Sequence, residues 1–499
     1  MSNVAARLFD TNVQEQHRRA LRTLLILLLE ATENIWDVRL SYSVGDGFFL
    51  QLLGDKPVLP AEVKRIKEAM AHAIVANRPI KPVRIKREAA LAELKRRGHL
   101  RSWAWLNDRP GALPPMFRFG KTLYAFKGMP FDRTGAIGTW DLVHYPPGVL
   151  LRMPPNGTKE LKPYRERPTL FRTFYVGEQW GRIHGANYVS QVNQRIRSGS
   201  GEIEDLIQVS EAQHERSIAT IADRIVGTKP RPMVVLISGP SSSGKTSFSM
   251  RLATHLRLLG LKPYALGLDN YYLPRNRVPR TEDGGYNYEA FEALDIELFN
   301  EHVLRLVSGE AVRLPRLDFK THKRRTGPAV TFGPQSILIV EGIHGLNPKL
   351  TPHVTKAATF KVYVSALTHP NFDYLNRVST TDLRLLRRMV RDLRARGYTA
   401  DDTLTRWASV RLGELRNIFP YQEEADEMFN STQPFELNAL KLPAERALAQ
   451  VNNSAIRIEV TRLKELLKAV VPIDEELLAR HLPPTSILRE FTGGSVLVG

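Results

Sequence analysis

The chain has 499 residues, 42% of them hydrophobic and 25% charged, a globular composition long enough for about two or three separate cores. It contains no cysteine, which excludes disulfides, thiol catalysis and cysteine-rich zinc sites. The formal net charge of +19 is concentrated: residues 51–200 carry 27 Lys plus Arg against 11 Asp plus Glu, either a surface for a polyanion such as RNA or a solvated basic face.

From Leu21 to Ala31 the chain reads as a buried helix, and its apolar run Leu24 to Leu29 is too short to span a bilayer. No secretory leader is legible, so the expected location is cytoplasmic, with no membrane partner. A β-like run at Val38 to Tyr42 is followed by the turn Gly45-Asp46-Gly47 and the apolar Phe48 to Leu53. Pro60 to Asn77 is predicted helical, with Val63, Ile66, Met70 and Ile74 on one face, and Arg87 to Arg97 is a second helix ended by Gly98. Short β-like runs such as Thr122 to Lys127 and Thr139 to His144 then sit among Pro and Gly as far as Pro168. Glu202 to Ile225 is strongly helical, with His214 expected at its surface.

Met233 to Leu252 changes the character of the chain. A β-prone run, Val234 to Ser238, enters a loop with Gly239, Gly244, Lys245 and Thr246 at the G-x-x-x-x-G-K-[ST] positions. The glycines let successive N–H groups converge on an anion, and Ser241, Ser242, Ser243 and Ser247 complete the expected phosphate cradle. Lys245 brings charge to the β- and γ-phosphates, and the Thr246 hydroxyl can ligate Mg²⁺. The run Pro263 to Leu268 ends in Asp269, a carboxylate placed to receive a proton from an attacking hydroxyl. Ser336 to Val340 ends in Glu341, the expected second metal partner, with His344 close by. Thr380 to Arg396 is an arginine-rich helix, with Arg384, Arg388 and Arg391 on one side and Arg387 and Arg394 turned away. Planar guanidinium forks suit a transferring phosphoryl group. From Asn438 the chain is helical at Ala455 to Val470 and then Pro-rich, with no sign of chemistry.

Two resemblances organise these features. Over residues 18–153, the helix, the GDGFF turn, the helix at 60–77 and the KGMPFDRTG segment resemble the second additional (editing) domain of threonyl-tRNA synthetases. That likeness puts Arg19 and Thr23 where the family has two histidines, and Phe126 and Pro130 where it has a cysteine and a histidine. None of the four can do the family's chemistry, so it implies a degenerate site with a binding or architectural role. GPSSSGKT, DNYY, YNYEAFEALD, DFKTH, VEGIHG and RRMVRDLRARG, in this order, resemble uridine kinases and phosphoribulokinases. This second likeness implies Asp269 as general base, Tyr272 as an acceptor-site aromatic and Glu289 on the ribose hydroxyls in place of an Asp. It implies His322 facing the base, Arg388 on the substrate side, and Arg391 and Arg396 as lid arginines. Leu317, Tyr398 and Arg406 depart from the tyrosine, arginine and glutamine used there for the nucleoside.

The expected architecture is α/β. A P-loop kinase domain, its parallel sheet flanked by helices, is assigned to 229–435, preceded by an α+β synthetase-like domain at 1–195 and a helical linker at 196–228. A C-terminal helical extension, 436–499, packs on the kinase or mediates homo-oligomerisation. The expected activity is ATP- and Mg²⁺-dependent phosphorylation of the 5′-hydroxyl of a nucleoside. Two other readings stay open: an RNA-associated protein with a nucleotide-dependent switch, and a kinase for a non-nucleoside sugar phosphate.

Overall fold

A computed structural model describes residues 11–32, 35–281, 284–318, 323–367 and 370–498. The first helix, Thr11–Thr32, starts ten residues before the predicted Leu21, and Leu24 to Leu28 are wholly buried. It covers an antiparallel sheet of β1 (Asp37–Val44) and β2 (Gly47–Leu53), turned at Gly45 with φ 60°. A three-stranded sheet of β3 (Lys81–Val83), β4 (Met116–Phe119) and β5 (Thr122–Ala125) stands beside it. β6 (Asp141–Tyr145) and β7 (Gly148–Arg152) complete the first sheet in the order β1-β2-β7-β6. The helix Pro60–Val75 buries Val63, Ile66 and Met70, the face its periodicity indicates.

The second half is built on β8 (Val234–Ser238), β9 (Lys262–Gly267), β12 (Ser336–Glu341), β13 (Thr359–Ser365) and β14 (Glu427–Asn430). A hairpin of β10 (Val312–Asp318) and β11 (Lys323–Val330) lies apart from them. The five strands are all parallel, in the order β14-β13-β8-β12-β9. Both faces carry helices, which is why β8 and β12 read as continuous apolar runs rather than alternating ones. The order reverses at β8, so the crevice for a ligand opens at the strand C-termini where β8, β9 and β12 end.

The helix Ser200–Gly227 does more than bridge. Its Ile218, Ile221 and Ile225 share one core with Phe248, Leu252 and Leu256 of the helix Lys245–Leu258. His214 is buried there, contrary to its surface expectation: Gln433 lies 3.0 Å from its ring and Phe429 packs at 5.2 Å. An isolated histidine among charged neighbours gave no hint that two helices and a sheet edge would close over it.

The two halves are joined through the segment 370–378, which leads into the helix Thr380–Ala395. Asn376 donates to the Ala125 carbonyl at 2.9 Å and accepts from the Lys127 backbone at 2.9 Å. The Lys127 ammonium bonds the Arg377 carbonyl at 2.7 Å, and the Leu40 N–H bonds the Tyr374 carbonyl at 2.8 Å. Burial pulls the Lys127 pKa down to about 7, with Asp382 opposing the shift. The four positions singled out by the synthetase likeness also meet in part. The Arg19 guanidinium donates to the Pro130 carbonyl at 3.1 Å, and the Thr23 hydroxyl accepts from the Phe131 N–H at 2.9 Å. Phe126 is buried in the same core. Among the described residues, no three His, Asp or Glu side chains gather as a metal site, and no helix is long and apolar enough to cross a membrane.

Candidate active site

The loop after β8 is forced into shape by its neighbours. A Cβ on Gly239 would lie 1.9 Å from the Val364 carbonyl oxygen, so only glycine lets the loop leave the sheet beside β13. Ser242 and Gly244 adopt φ of 57° and 82°, which turns the backbone toward the start of the helix Lys245–Leu258. Gly239→Ala is expected to cost about 1–3 kcal/mol through overpacking against backbone, visible as a lower thermal midpoint.

Behind the loop stand buried ion pairs. Arg384 is bidentate to Glu414 and donates to the Ser241 carbonyl at 3.1 Å, while the Ser241 N–H bonds the same Glu414 at 3.2 Å. Arg387 pairs with Glu436 and reaches the Ser242 carbonyl at 3.4 Å and the Ser431 carbonyl at 2.8 Å. Arg387 is therefore not turned away. The helix is buried on more than one side, so a single-face reading of its arginines fails. Arg388 donates to the Ser241 hydroxyl at 2.7 Å, and Arg391 is paired with Asp392 at 2.8 Å. Arg396 is half exposed, 3.8 Å from Asp392.

Within the crevice, the Lys245 ammonium folds onto the Gly239 carbonyl at 3.0 Å, and the Thr246 hydroxyl donates to Glu341 at 3.0 Å. Asp269 sits just past β9 in the turn Leu268–Tyr271, near enough to Lys245 and Arg396 to feel both charges. Surrounding protein raises its pKa, while the two cations and the Tyr272 hydroxyl work against the rise. Its carboxyl opens to the crevice, so water also limits that shift. Burial lowers the pKa of Lys245, with Glu341, Glu490 and Asp269 opposing. Burial likewise raises that of Glu341.

Facing them, the Tyr272 hydroxyl bonds the Tyr288 carbonyl at 3.0 Å and touches Asp269. Glu289 is wedged against the helix Ala400–Asn417, where Asn417 donates to its carbonyl at 2.5 Å and Gly413 leaves room for its stem. Burial, with Glu414 adding to it, brings the Glu289 pKa up to about 7, against the pull of Arg388 and Lys245. The Leu317 N–H bonds the Asn270 side chain at 2.8 Å on the same side. Arg406 stacks on the exposed Tyr398 at 4.7 Å. His322 lies outside the described residues. His344 is buried edge-on to Phe291 at 5.4 Å, and burial drops its pKa to about 4, so it packs as a neutral ring.

Sequence reasoning missed Glu414, Arg411, Glu436 and Glu490. Glu414 did leave a signal: it falls on the stripe Thr403, Leu404, Trp407, Val410 and Gly413, an acid on an otherwise inward face.

A family model, Phosphoribulokinase / Uridine kinase family, matches residues 234–436. The uridine kinase of Oceanobacillus iheyensis is 30% identical over 200 residues, 40% of this chain and 86% of that protein. The uridine kinase of Bacillus mycoides is 31% identical over 180 residues, 36% of this chain and 76% of that protein. A solved structure described as a possible uridine kinase from Bacillus stearothermophilus is 22% identical, covers 31% of this chain and 80% of its own, and has a TM-score of 0.26.

Proposed function

Because the chain belongs to the phosphoribulokinase/uridine kinase family, we propose that this phosphotransferase moves the γ-phosphoryl group of ATP to the 5′-hydroxyl of a nucleoside. The observation that carries the proposal is the convergence of Asp269, Lys245 and the Thr246–Glu341 pair on one crevice, with Tyr272 and Glu289 facing them.

The residues present fit a bound Mg·ATP. The hydroxyls of Ser242 and Ser243 are buried without a partner, as donors awaiting phosphate oxygens would be. Thr246 and Glu341 form a hard oxygen pair suited to Mg²⁺. When bound, ATP supplies the phosphoryl group and Mg²⁺ offsets its charge. Lys245 and the loop N–H groups from Ser242 to Ser247 would hold the phosphates. Asp269 accepts the proton of the acceptor hydroxyl. Arg388 stands on the acceptor side, and Arg391 with Arg396 offsets charge on the transferring group. Arg391 must give up part of its pairing with Asp392 to do so.

Glu289 holds the sugar hydroxyls when ionised, because a carboxylate can accept from two of them. With its pKa up at about 7, it is largely neutral in mild acid. The KM for the acceptor is therefore expected to fall as pH rises through about 7. Glu289→Gln is expected to flatten that profile, read from initial rates against acceptor concentration. A kinase screen over nucleosides, sugar phosphates and tRNA, with ATP and GTP as donors, tests the function. Turnover of a nucleoside supports it, whereas turnover confined to sugar phosphates moves the assignment to the second class of acceptor. For the N-terminal part we propose an architectural role, supported by its grip on residues 370–378. Turnover of mischarged tRNA by the chain would contradict that role.

A further inference from the structure

The stretch Ser486 to Gly494 is built into the phosphate end of the crevice. Ile487 and Phe491 are wholly buried. Ile487 lies on the phosphate loop: a Cβ on Gly244 would come 2.4 Å from its Cγ2. The Phe491 ring lies 4.7 Å from the Arg387 guanidinium. Between these anchors Glu490 aims its carboxylate at the first turn of the helix Lys245–Leu258. The Ser247 hydroxyl donates to it at 2.8 Å, and the Arg391 guanidinium stands 3.8 Å away. Arg394 fixes the Glu490 carbonyl at 3.1 Å. The charge of Glu490 reaches both Lys245 and Glu341.

In a loop of this kind the lysine faces the β- and γ-phosphates, and the N–H groups leading into the helix face the phosphates nearer the nucleoside. Ser247, two positions beyond Lys245, therefore marks the nucleoside end of the cradle. The chain puts a carboxylate of its own there. Building on the kinase reading, we propose that Glu490 is an internal counter-anion that competes with the donor nucleotide for Ser247 and Arg391. Donor binding moves the carboxylate off Ser247 and loosens the strap that carries it. The physical reason is sign. A carboxylate and a phosphate cannot share one hydroxyl and one guanidinium at short range without strong mutual repulsion. In the empty site, the carboxylate instead offsets cations that would otherwise lie buried together. A strut that merely aims Arg391 would have the opposite consequence, since removing its charge would weaken donor binding.

The test is direct Mg·ATP binding to the full chain by calorimetry, beside the kinase assay. Glu490→Gln keeps the shape and one acceptor while removing the charge, and is expected to tighten Mg·ATP by about tenfold. Because the substitution also removes a partner from Arg391, hydrogen exchange on the unaltered chain supplies a second readout. Peptides spanning 486–494 are expected to exchange faster when Mg·ATP is added. Equal or weaker affinity in Glu490→Gln, or exchange that ATP leaves unchanged, overturns the counter-anion while the kinase reading stands. If neither protein binds Mg·ATP, the kinase reading falls and the counter-anion falls with it.

Discussion

Asp269→Asn is expected to leave Mg·ATP affinity within about twofold of the unaltered chain and to lower kcat by about two to four orders of magnitude. The carboxylate lies past the end of β9, within reach of the Lys245 charge, with the Tyr272 hydroxyl touching it. An amide fills the same volume and keeps an acceptor oxygen, so the crevice holds its shape. What it loses is basicity, so the hydroxyl must give its proton to water. The direction of the pKa shift adds a second readout. Burial raises the Asp269 pKa, so the carboxylate form is complete only above an elevated pKa and is lost as pH falls through it. The unaltered protein should therefore show an acid limb in kcat that Asp269→Asn lacks. Single-turnover rates across pH, with calorimetry for the donor, check both. Full turnover in the variant would remove Asp269 from the role of base.

Glu414→Gln is expected to destabilise the fold by about 3–5 kcal/mol, the cost of breaking a buried charge network from one side. Glu414 has no exposed surface. It receives Arg384 at 2.8 Å, Arg411 at 2.5 Å and the Ser241 N–H at 3.2 Å. An amide leaves two buried guanidiniums short of a counter-charge and loosens the loop at Ser241, so donor binding should weaken as well. Burial would raise the pKa of this carboxyl, but the two arginines outweigh it and hold it below the ordinary 4.5. For a depressed carboxyl, the stabilisation is complete above the unfolded pKa and disappears as pH falls through the folded one. Urea unfolding at neutral pH and again at pH 3–4 measures the difference, which should shrink in acid for the unaltered chain more than for the variant. An unchanged midpoint at neutral pH would show that the network is dispensable.

The chemistry at strand ends was written locally. Gly239 to Ser247, Asp269 and Glu341 each follow an apolar run directly, and a strand followed by a functional residue is a short-range pattern that survives without knowledge of the fold. The three runs appear as β8, β9 and β12, and their ends meet because parallel strands carry their C-termini to one edge. With that, the P-loop kinase sheet and half of its candidate site were legible from residue order.

What supports those residues was written elsewhere in the chain. β13 alternates β-prone residues but carries no motif at its end, and β14 is only four residues long; they place Val364 against Gly239 and Ser431 against Arg387. Arg384 and Arg391 read as one polar helix face, with Arg387 turned away from it. Their partners Glu414, Glu436 and Glu490 stand 30, 49 and 99 positions away, so only chain folding could tell a structural guanidinium from one free to meet phosphate. The same holds for the segment 486–494, read as part of a helical extension without chemistry, which forms a wall of the crevice. By itself, then, the sequence determined which residues are candidates for handling phosphate, because that chemistry needs particular residue types at fixed short spacings. The tertiary structure alone decided what braces them, because an ion pair or a packed strap depends on distance in space and leaves no period along the chain.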